Sequence, residues 1–460
     1  MAFILAVTAG QNPRTLWFTL PIFCITLLGF IRYGGMAGWD IVRREIGWRW
    51  AAARGYLEYQ SGLISSNSLI EMSDRLELPG LLAPTRLLGM RDGLREWGIV
   101  WDQSTDFLTT TFLCNSQSPM LVDEDSFNVW VAQWHHWLAA LGAEPQIEFI
   151  TVTVESAREG GATVTENIRQ SLVPTAPTHS YDVVTSLTSL GTDQSAFIET
   201  RVSITFNPNN GPAKKRTIDE RVAEISRLLY GLQSRLSNCG LSGVRRASPA
   251  ELSANMRIAF DPGSRDVVTD AMIKGARPLR WSQAGPVNTK ETRNYYMHDT
   301  GTSVSWAWTG GPRSPVPATI LSNMVNPGPY PKRVCLLYEP SDPAAISRQL
   351  EQERTALEAK RILIRQSQNN ESERARVDRE FAAMAAQEEA RGAGFGDMSF
   401  YVTVTVPNVE LVDDAVTDIA SRSAQSKLQL RRATCSHAAL FATGLGAGIH
   451  PAYKSNKGWF

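Results

Sequence analysis

The feature that most constrains this chain is an uncharged run of 17 residues at positions 15–31, TLWFTLPIFCITLLGFI. Such a stretch cannot face water, and its length is close to the roughly 17–25 residues that a membrane helix needs. Trp17 near its start and Tyr33 just past its end occupy the places of interfacial aromatics, and Pro21 is tolerable where a neighbouring helix covers the freed carbonyl. The run reads as a membrane span, against the competing reading of a buried core helix. Residues 1–10 (MAFILAVTAG) are also uncharged but too short to span, and they lack the basic start of a signal peptide. They read as half of a preceding helix, so that residues 1–36 form a single-pass anchor or a truncated hairpin. Arg14 stands before the run, whereas Arg32, Arg43, Arg44, Arg49 and Arg54 follow it. The positive-inside rule then puts the C-terminal body in the cytoplasm, attached to the cell membrane. Residues 37–68 read as an interfacial amphipathic helix and linker, since Trp39, Ile41, Val42, Ile46, Trp48, Trp50 and Tyr56 mix with the arginines. A helix packed on the soluble body would carry the same pattern.

The rest of the 460 residues is enough for two or three domains with a sizeable core. Lys plus Arg and Asp plus Glu number 46 each, so no overall field draws the chain onto DNA or an anionic surface. The five cysteines, Cys24, Cys114, Cys239, Cys335 and Cys435, are scattered without a C-x-x-C pair, which suggests reduced structural thiols. Periodicity predicts a hairpin, WGIVWD then FLTTTFLC around QSTD, followed by an amphipathic helix over 123–141 that stops at Gly142. A strand over 147–154, short helices up to 190, a strand over 200–206 and a helix over 218–236 complete a first α+β domain at 69–261. A proline-rich connector follows at 262–331, with one strand-like stretch at 302–308. The third section, 332–446, reads β-α-β-α-β-α, with a solvated helical arm at 343–391 and a flexible tail at 447–460. The expected fold class is α+β. An N-terminal membrane helix precedes mixed or antiparallel sheets with helices on one face, and a C-terminal ferredoxin-like, split β-α-β unit carries the inserted arm.

The chemistry of a motor needs a G-x-x-x-x-G-K-[ST] loop, whose amides and lysine hold phosphates while the hydroxyl binds magnesium. No such run is present, and Gly444, Gly446 and Gly448 in GLGAGIHP have neither the lysine nor the hydroxyl, so they read as a flexible end. His135 and His136 are adjacent, which sets them about 100° apart on a helix and unable to face one metal. His298 and Asp299 read as a loop that ties Tyr295 and Tyr296 to the core. Lys214, Lys215 and Arg216 read as a solvated loop. No catalytic, cofactor-binding or metal-ligating residue is assigned.

Several stretches together resemble an actinobacterial conjugative-element membrane protein family. They are LPGLLAPTRLL at Leu78, WGIVWD, VWVAQWHHWLAALG, ITVTVES, RVSITFNP at Arg201, EISRLLYGLQSRLSNCGL at Glu224, ELSANMRIAFDP at Glu251, WSQAGPV at Trp281, YYMHDTGTSVSWAW at Tyr295, KRVCLLYEPSDP at Lys332 and EEARGAGFGDMSFYVTVTV at Glu388. That family looks like a PrgI-type membrane segment fused to the N-terminal domain of the type IV secretion transfer ATPase, without the ATPase domain. The resemblance implies a scaffold with no small-molecule substrate. Its partners would be the bilayer, a separate transfer ATPase, other channel subunits and further copies of itself. In the related ATPases a segment like LQLRRATCSHAALFATGLG precedes the motor, so the apolar face of the helix over 436–445 (Ala438, Ala439, Phe441, Ala442, Leu445) is either free to dock or completes its own layer. The alternatives are a membrane-anchored hydrolase with a site in the connector at 262–331 and a DNA-guiding adaptor with a basic face.

Overall fold

A computed structural model describes residues 32–33, 36–61, 78–93, 95–117, 122–158, 177–191, 196–210, 217–310, 316–342 and 394–451. The uncharged run at 15–31, the basic cluster at 214–216 and the arm at 343–391 lie outside them. No helix among the described residues is long and apolar enough to cross a membrane.

A small ladder, β1 (Arg32–Tyr33) with β2 (Met36–Ala37), opens onto helix α1 (Gly38–Ala53) and strand β3 (Glu58–Gln60). Strand β4 (Thr85–Asp92) pairs with β5 (Arg95–Asp102), which forms the expected hairpin with β6 (Phe107–Ser116). Its turn is fixed by Asp102, whose Oδ1 accepts from the Ser104 N–H at 2.9 Å and the Ser104 hydroxyl at 2.7 Å, an Asx turn. Then come α2 (Glu124–Leu141), β7 (Ile147–Arg158), α3 (Thr178–Gly191), β8 (Ala196–Phe206), α4 (Ile218–Ser237), β9 (Leu241–Arg246) and α5 (Pro249–Phe260). Helix α4 starts where it does because Thr217 and Glu220 form a reciprocal capping box, which satisfies two otherwise orphaned amides. It stays because Val222, Ile225, Leu229, Leu232 and Leu236 bury one stripe, each large side chain contributing about 1.5–3 kcal/mol.

The region expected as a loop-rich connector is part of the sheet. It holds α6 (Arg265–Ile273), β10 (Asn288–Glu291), β11 (Tyr296–His298), the ten-residue β12 (Gly301–Gly310) and α7 (Ser322–Val325). Val304 and Trp306 of β12 enter a core while Ser303 and Ser305 turn to the other face. The strand-like stretch expected at 302–308 is this β12. The chain ends its described part with β13 (Lys332–Pro340), β14 (Gly396–Val406), α8 (Val412–Gln425), β15 (Gln429–Arg432) and α9 (His437–Thr443). The third section therefore begins one strand earlier than expected, with β12.

The fold is α+β, built on one antiparallel sheet of 13 strands. Its path runs β3-β10-β11-β12-β14-β13-β7-β8-β6-β5-β4, with β15 beside β12 and β9 beside β6. Within it the same unit occurs twice. In the first half β6-α2-β7-α3-β8-α4-β9 gives the spatial order β9-β6-β8-β7, and in the second β12-α7-β13-β14-α8-β15 gives β15-β12-β14-β13. Strands β7 and β13 pair antiparallel from Lys332↔Ser156 to Tyr338↔Ile150, which joins the halves about an approximate two-fold axis through the sheet. The stretches expected as separate domains at 69–261 and 332–446 thus contribute strands to this one sheet.

Helices cover both faces, where one was expected. On the first face α2 and α4 close a core with Trp97, Ile99, Phe112, Val202 and Ile204, and α8 closes another with Val304, Val334, Phe400, Val402 and Val404. On the second face α5, α9 and the segment after α9 bury Leu113, Met256, Phe260, Tyr296, Phe441, Ala447 and Ile449. Runs such as ITVTV present valine to one face and threonine to the other. Threonine reads as polar in the sequence, yet here it is buried.

Candidate functional site

The second face is lined by hydroxyls in matched pairs. Thr109 and Thr205 lie 2.9 Å apart and Thr111 and Ser203 2.8 Å apart in the first half; Ser303 and Thr405 lie 2.8 Å apart and Ser305 and Thr403 2.9 Å apart in the second. The amide after each closing strand repeats too: the Ala247 N–H donates to the Thr111 carbonyl at 2.8 Å, and that of Ala433 to Ser305 at 2.9 Å. The sequence carries a faint copy of this repeat. Arg245-Arg246-Ala247 matches Arg431-Arg432-Ala433, and Val202 to Phe206 matches Val402 to Val406.

Each hydroxyl face is roofed by the segment that follows the other half's last helix. After α9, residues 444–450 are almost wholly buried over the first half, so the flexible tail expected from residue 447 is packed in its described part. Gly446 and Gly448 have φ of +71° and +70°, and a Cβ on Gly448 would fall 2.0 Å from Thr109 Oγ1. His450 closes the roof, its Nε2 2.9 Å from Glu339 Oε1. After α5, Pro262 passes beside Gly301 and Thr405 of the second half. The apolar face of α9 is spent inside this core: the Phe441 ring lies tilted at 5.0 Å from Phe260 and edge-on at 5.4 Å from Tyr296.

At the seam of the halves lies a buried ion cluster. Arg201 donates to Glu155 at 2.7 Å and to Glu199 at 2.9 Å, and Arg265 reaches Glu155 at 2.5 Å. Arg333, directly across from Glu155 on the neighbouring strand, sits 4.4 Å over the Phe441 ring, and its buried Nη1 has no hydrogen-bond partner among the described residues. Burial pushes the Arg333 guanidinium down to about 10. Burial would also raise the Glu155 carboxyl, but Arg201, Arg265 and Arg333 outweigh it and hold that group well below the carboxylate range. The void beside the cluster is about 10 Å³, room for one water and no substrate.

The residues singled out in the sequence do not converge. His135 and His136 are exposed on α2 with their rings edge to face at 5.8 Å. His298 turns away from Asp299: its Nδ1 lies 2.6 Å from the Phe260 carbonyl and its Nε2 2.7 Å from Ser303 Oγ. Asp299 instead accepts from the Val287 and Asn288 amides at 2.8 and 3.1 Å and pairs with Arg257 at 3.0 Å. A serine hydroxyl on a histidine nitrogen is the contact a hydrolase in this region would use. Here Ser303 is 0 % and His298 2 % exposed, and burial pushes the imidazole down to about 4, so the pair is sealed from solvent. Among the described residues no cluster of three His, Cys, Asp or Glu side chains is placed to hold a metal.

Two accessible surfaces stand out. One is the outer side of α1, where Trp39, Ile46 and Trp50 are 50, 63 and 36 % exposed beside Arg43 and Arg49. The other is a groove of about 600 Å³ lined by Trp97, Tyr230, Arg95, Arg245, Arg246 and Asp92. Arg246 lies 5.0 Å over Trp97 and 4.8 Å over Tyr230 and pairs with Asp92 at 3.2 Å. The Tyr230 hydroxyl and then Arg246 hold the Asp92 carboxyl below its ordinary range. With Arg245 engaged by Glu251 and Glu96 also on the wall, the groove has mixed charge and selects no ligand class. No protein-family model matches the chain, and no curated protein matches it.

Proposed function

We propose that this protein is a membrane-attached, non-enzymatic scaffold subunit of an actinobacterial conjugative, type IV secretion-like apparatus, which docks a separate transfer ATPase and neighbouring channel subunits. The observation that carries the non-enzymatic part is the roof over the first half. The glycine segment nearest in composition to a nucleotide loop is threaded through the core, where even one methyl on Gly448 would collide with Thr109. The ion cluster on that face is likewise engaged at the seam, where Arg201 and Arg265 pair with Glu155 and Arg333 stands opposite it. The link to conjugation rests on the stretches that resemble that family, many of which form strands of the one sheet: RVSITFNP lies on β8, KRVCLLYEP on β13 and SFYVTVTV on β14.

The finer architecture of this proposal is a membrane helix at 15–31, the helix α1 at the interface, and two units with the strand order of a ferredoxin-like fold. The segment expected as a helical arm at 343–391 is inserted in the chain between β13 and β14. Since α9 is buried, the arm becomes the element offered to the ATPase. The ends of this insertion are held together, with the Ser341 N–H donating to the Phe395 carbonyl at 2.9 Å, so the arm can be cut out without opening the sheet.

The test is purification from detergent-solubilised membranes with mass spectrometry of what comes along. The full chain should resist carbonate extraction and bring down the transfer ATPase of the same element. Replacing residues 343–391 by a short turn should abolish that recovery while thermal melting is unchanged. Recovery of the full chain in the soluble fraction, or magnesium-dependent ATP binding by the purified chain, would refute the proposal.

A further inference from the structure

We infer that α1 lies in the headgroup layer of an anionic bilayer and turns the β3–β10 edge of the sheet toward the membrane, leaving the β4 edge and its groove at the far end. This deepens the membrane-attachment reading above and rests on it.

Three observations support it. The first is the character of the outer side of α1. Trp39, Ile46 and Trp50 recur at intervals of seven and four residues, which puts them on one stripe, and all three are exposed. Exposed Arg43 and Arg49 flank that stripe, and the Arg54 guanidinium sits 4.2 Å over the Trp50 ring. Tyr56 follows at 60 % exposure, edge-on to Trp50 at 5.8 Å. Within α1 the exposed acid is Asp40, because Glu45 is drawn to Arg49 at 3.1 Å and to Arg293 of the body at 3.3 Å. Tryptophans and tyrosine among arginines suit the zone where acyl carbonyls give way to phosphates, and the excess of positive charge selects anionic lipid.

The second observation is the tether. Arg32 pairs with Ala37 across the β1–β2 ladder, and paired residues of an antiparallel ladder stand roughly 5 Å apart. Helix α1 therefore starts beside the point where the uncharged run at 15–31 ends. If that run crosses the bilayer, Trp39 is delivered to its surface.

The third is that α1 cannot swing free of the body. Gly55 at φ +73° ends the helix, with the Tyr56 N–H donating to the Ala51 carbonyl at 3.0 Å. Two residues later the chain is already a strand: β3 pairs with β10 from Asn288↔Gln60 to Lys290↔Glu58, and Lys290 bonds Glu58 at 2.7 Å. The tilt of α1 is thus passed to the sheet. Ten strand spacings of about 4.8 Å separate β3 from β4 along the sheet, so the Trp97–Arg246–Tyr230 groove stands well away from the lipid.

The experiment uses the full chain in phosphatidylcholine liposomes containing a quarter phosphatidylglycerol, with photoreactive p-benzoylphenylalanine replacing one residue at a time. Trp39, Ile46 and Trp50 are the test positions; Val129, Tyr230 and Val267, exposed apolar residues elsewhere, are the controls. Lipid adducts at the three test positions should exceed those at the controls by at least about ten-fold, as burial in the headgroup layer requires. Their yield should drop several-fold in pure phosphatidylcholine and in the triple variant Arg43→Gln, Arg49→Gln, Arg54→Gln. Adduct levels at Ile46 no higher than at Tyr230, or protein adducts there in place of lipid, in samples that still resist carbonate, would overturn this inference alone. Loss of carbonate resistance by the unmodified chain would overturn both it and the membrane attachment.

Discussion

In the first half the pair Thr109–Thr205 is roofed by Gly448, a residue with no side chain, whereas the matching pair of the second half, Ser303–Thr405, is completed by the imidazole of His298. The strand order is the same, and so are the hydroxyl pairs and the bond from the alanine that closes each unit. What differs is the material that excludes water from them. The first half depends on an absence of volume and on a backbone shape that L side chains rarely adopt. The second depends on a buried ring staying neutral. Two copies of one topology can therefore fail for opposite reasons, the first by crowding and the second by acid.

The seam shared by the halves is where the largest effect is expected. Glu155→Ala would leave Arg201, Arg265 and Arg333 buried without their common counter-charge, at a cost of about 3–5 kcal/mol. Thermal unfolding in detergent should show a lower, still single transition, since β7 and β13 belong to one sheet. Two separated transitions would mean that the halves are independent, and the comparison between them would lose its basis.

Gly448→Ala comes next, at about 3–4 kcal/mol, because the new Cβ meets Thr109 and the residue must hold a positive φ. Its counterpart on the other roof, Gly263→Ala, meets only the side chain of Thr300, at 3.0 Å, and should stay within about 1 kcal/mol. Equal losses in the two variants would contradict the asymmetry described above.

Acid should act on the second half. Burial lowers the folded pKa of His298 to about 4 from the ordinary 6.5, so the unfolded chain takes up the proton first. The stability this provides is complete above pH 6.5 and is lost as pH falls toward about 4, a change on the order of 3 kcal/mol. His437, lowered by its own burial, adds in the same direction. Denaturant midpoints between pH 7 and 4.5 should fall, and His298→Asn should flatten the slope; an unchanged slope would exclude His298 as the sensor.

The smallest contrast is between the hydroxyl pairs themselves. Thr205→Val removes the side-chain partner of Thr109 and should cost about 1–2 kcal/mol, whereas Thr405→Val leaves Ser303 still bonded to His298 and should cost less than about 1 kcal/mol. The reverse order would show that His298 does not complete the second roof.

Where one segment decides its own conformation, the sequence was a sufficient guide. The turn at Asp102, the start of α2 at Asp123 and the capping box of Thr217 with Glu220 each use bonds within a few residues, and all three elements stand where their patterns put them. Periodicity likewise set the buried stripe of α4. The register of β7 on β13, the reach of residues 444–450 across the other half, and the burial of His298 against Phe260 join positions remote in the chain, and no local pattern encodes them. Composition even pointed the wrong way there. Glycines 446 and 448 look like flexibility but supply the positive φ that lets the backbone thread a crowded face, and threonines that look solvent-bound are sealed between layers. The same holds for α1, whose circumference carries apolar residues and arginines all round. Only the docking of Glu45 on Arg293 and of β3 on β10 decided which side of that helix looks outward, because a helix acquires an inside and an outside only when another surface covers one of them.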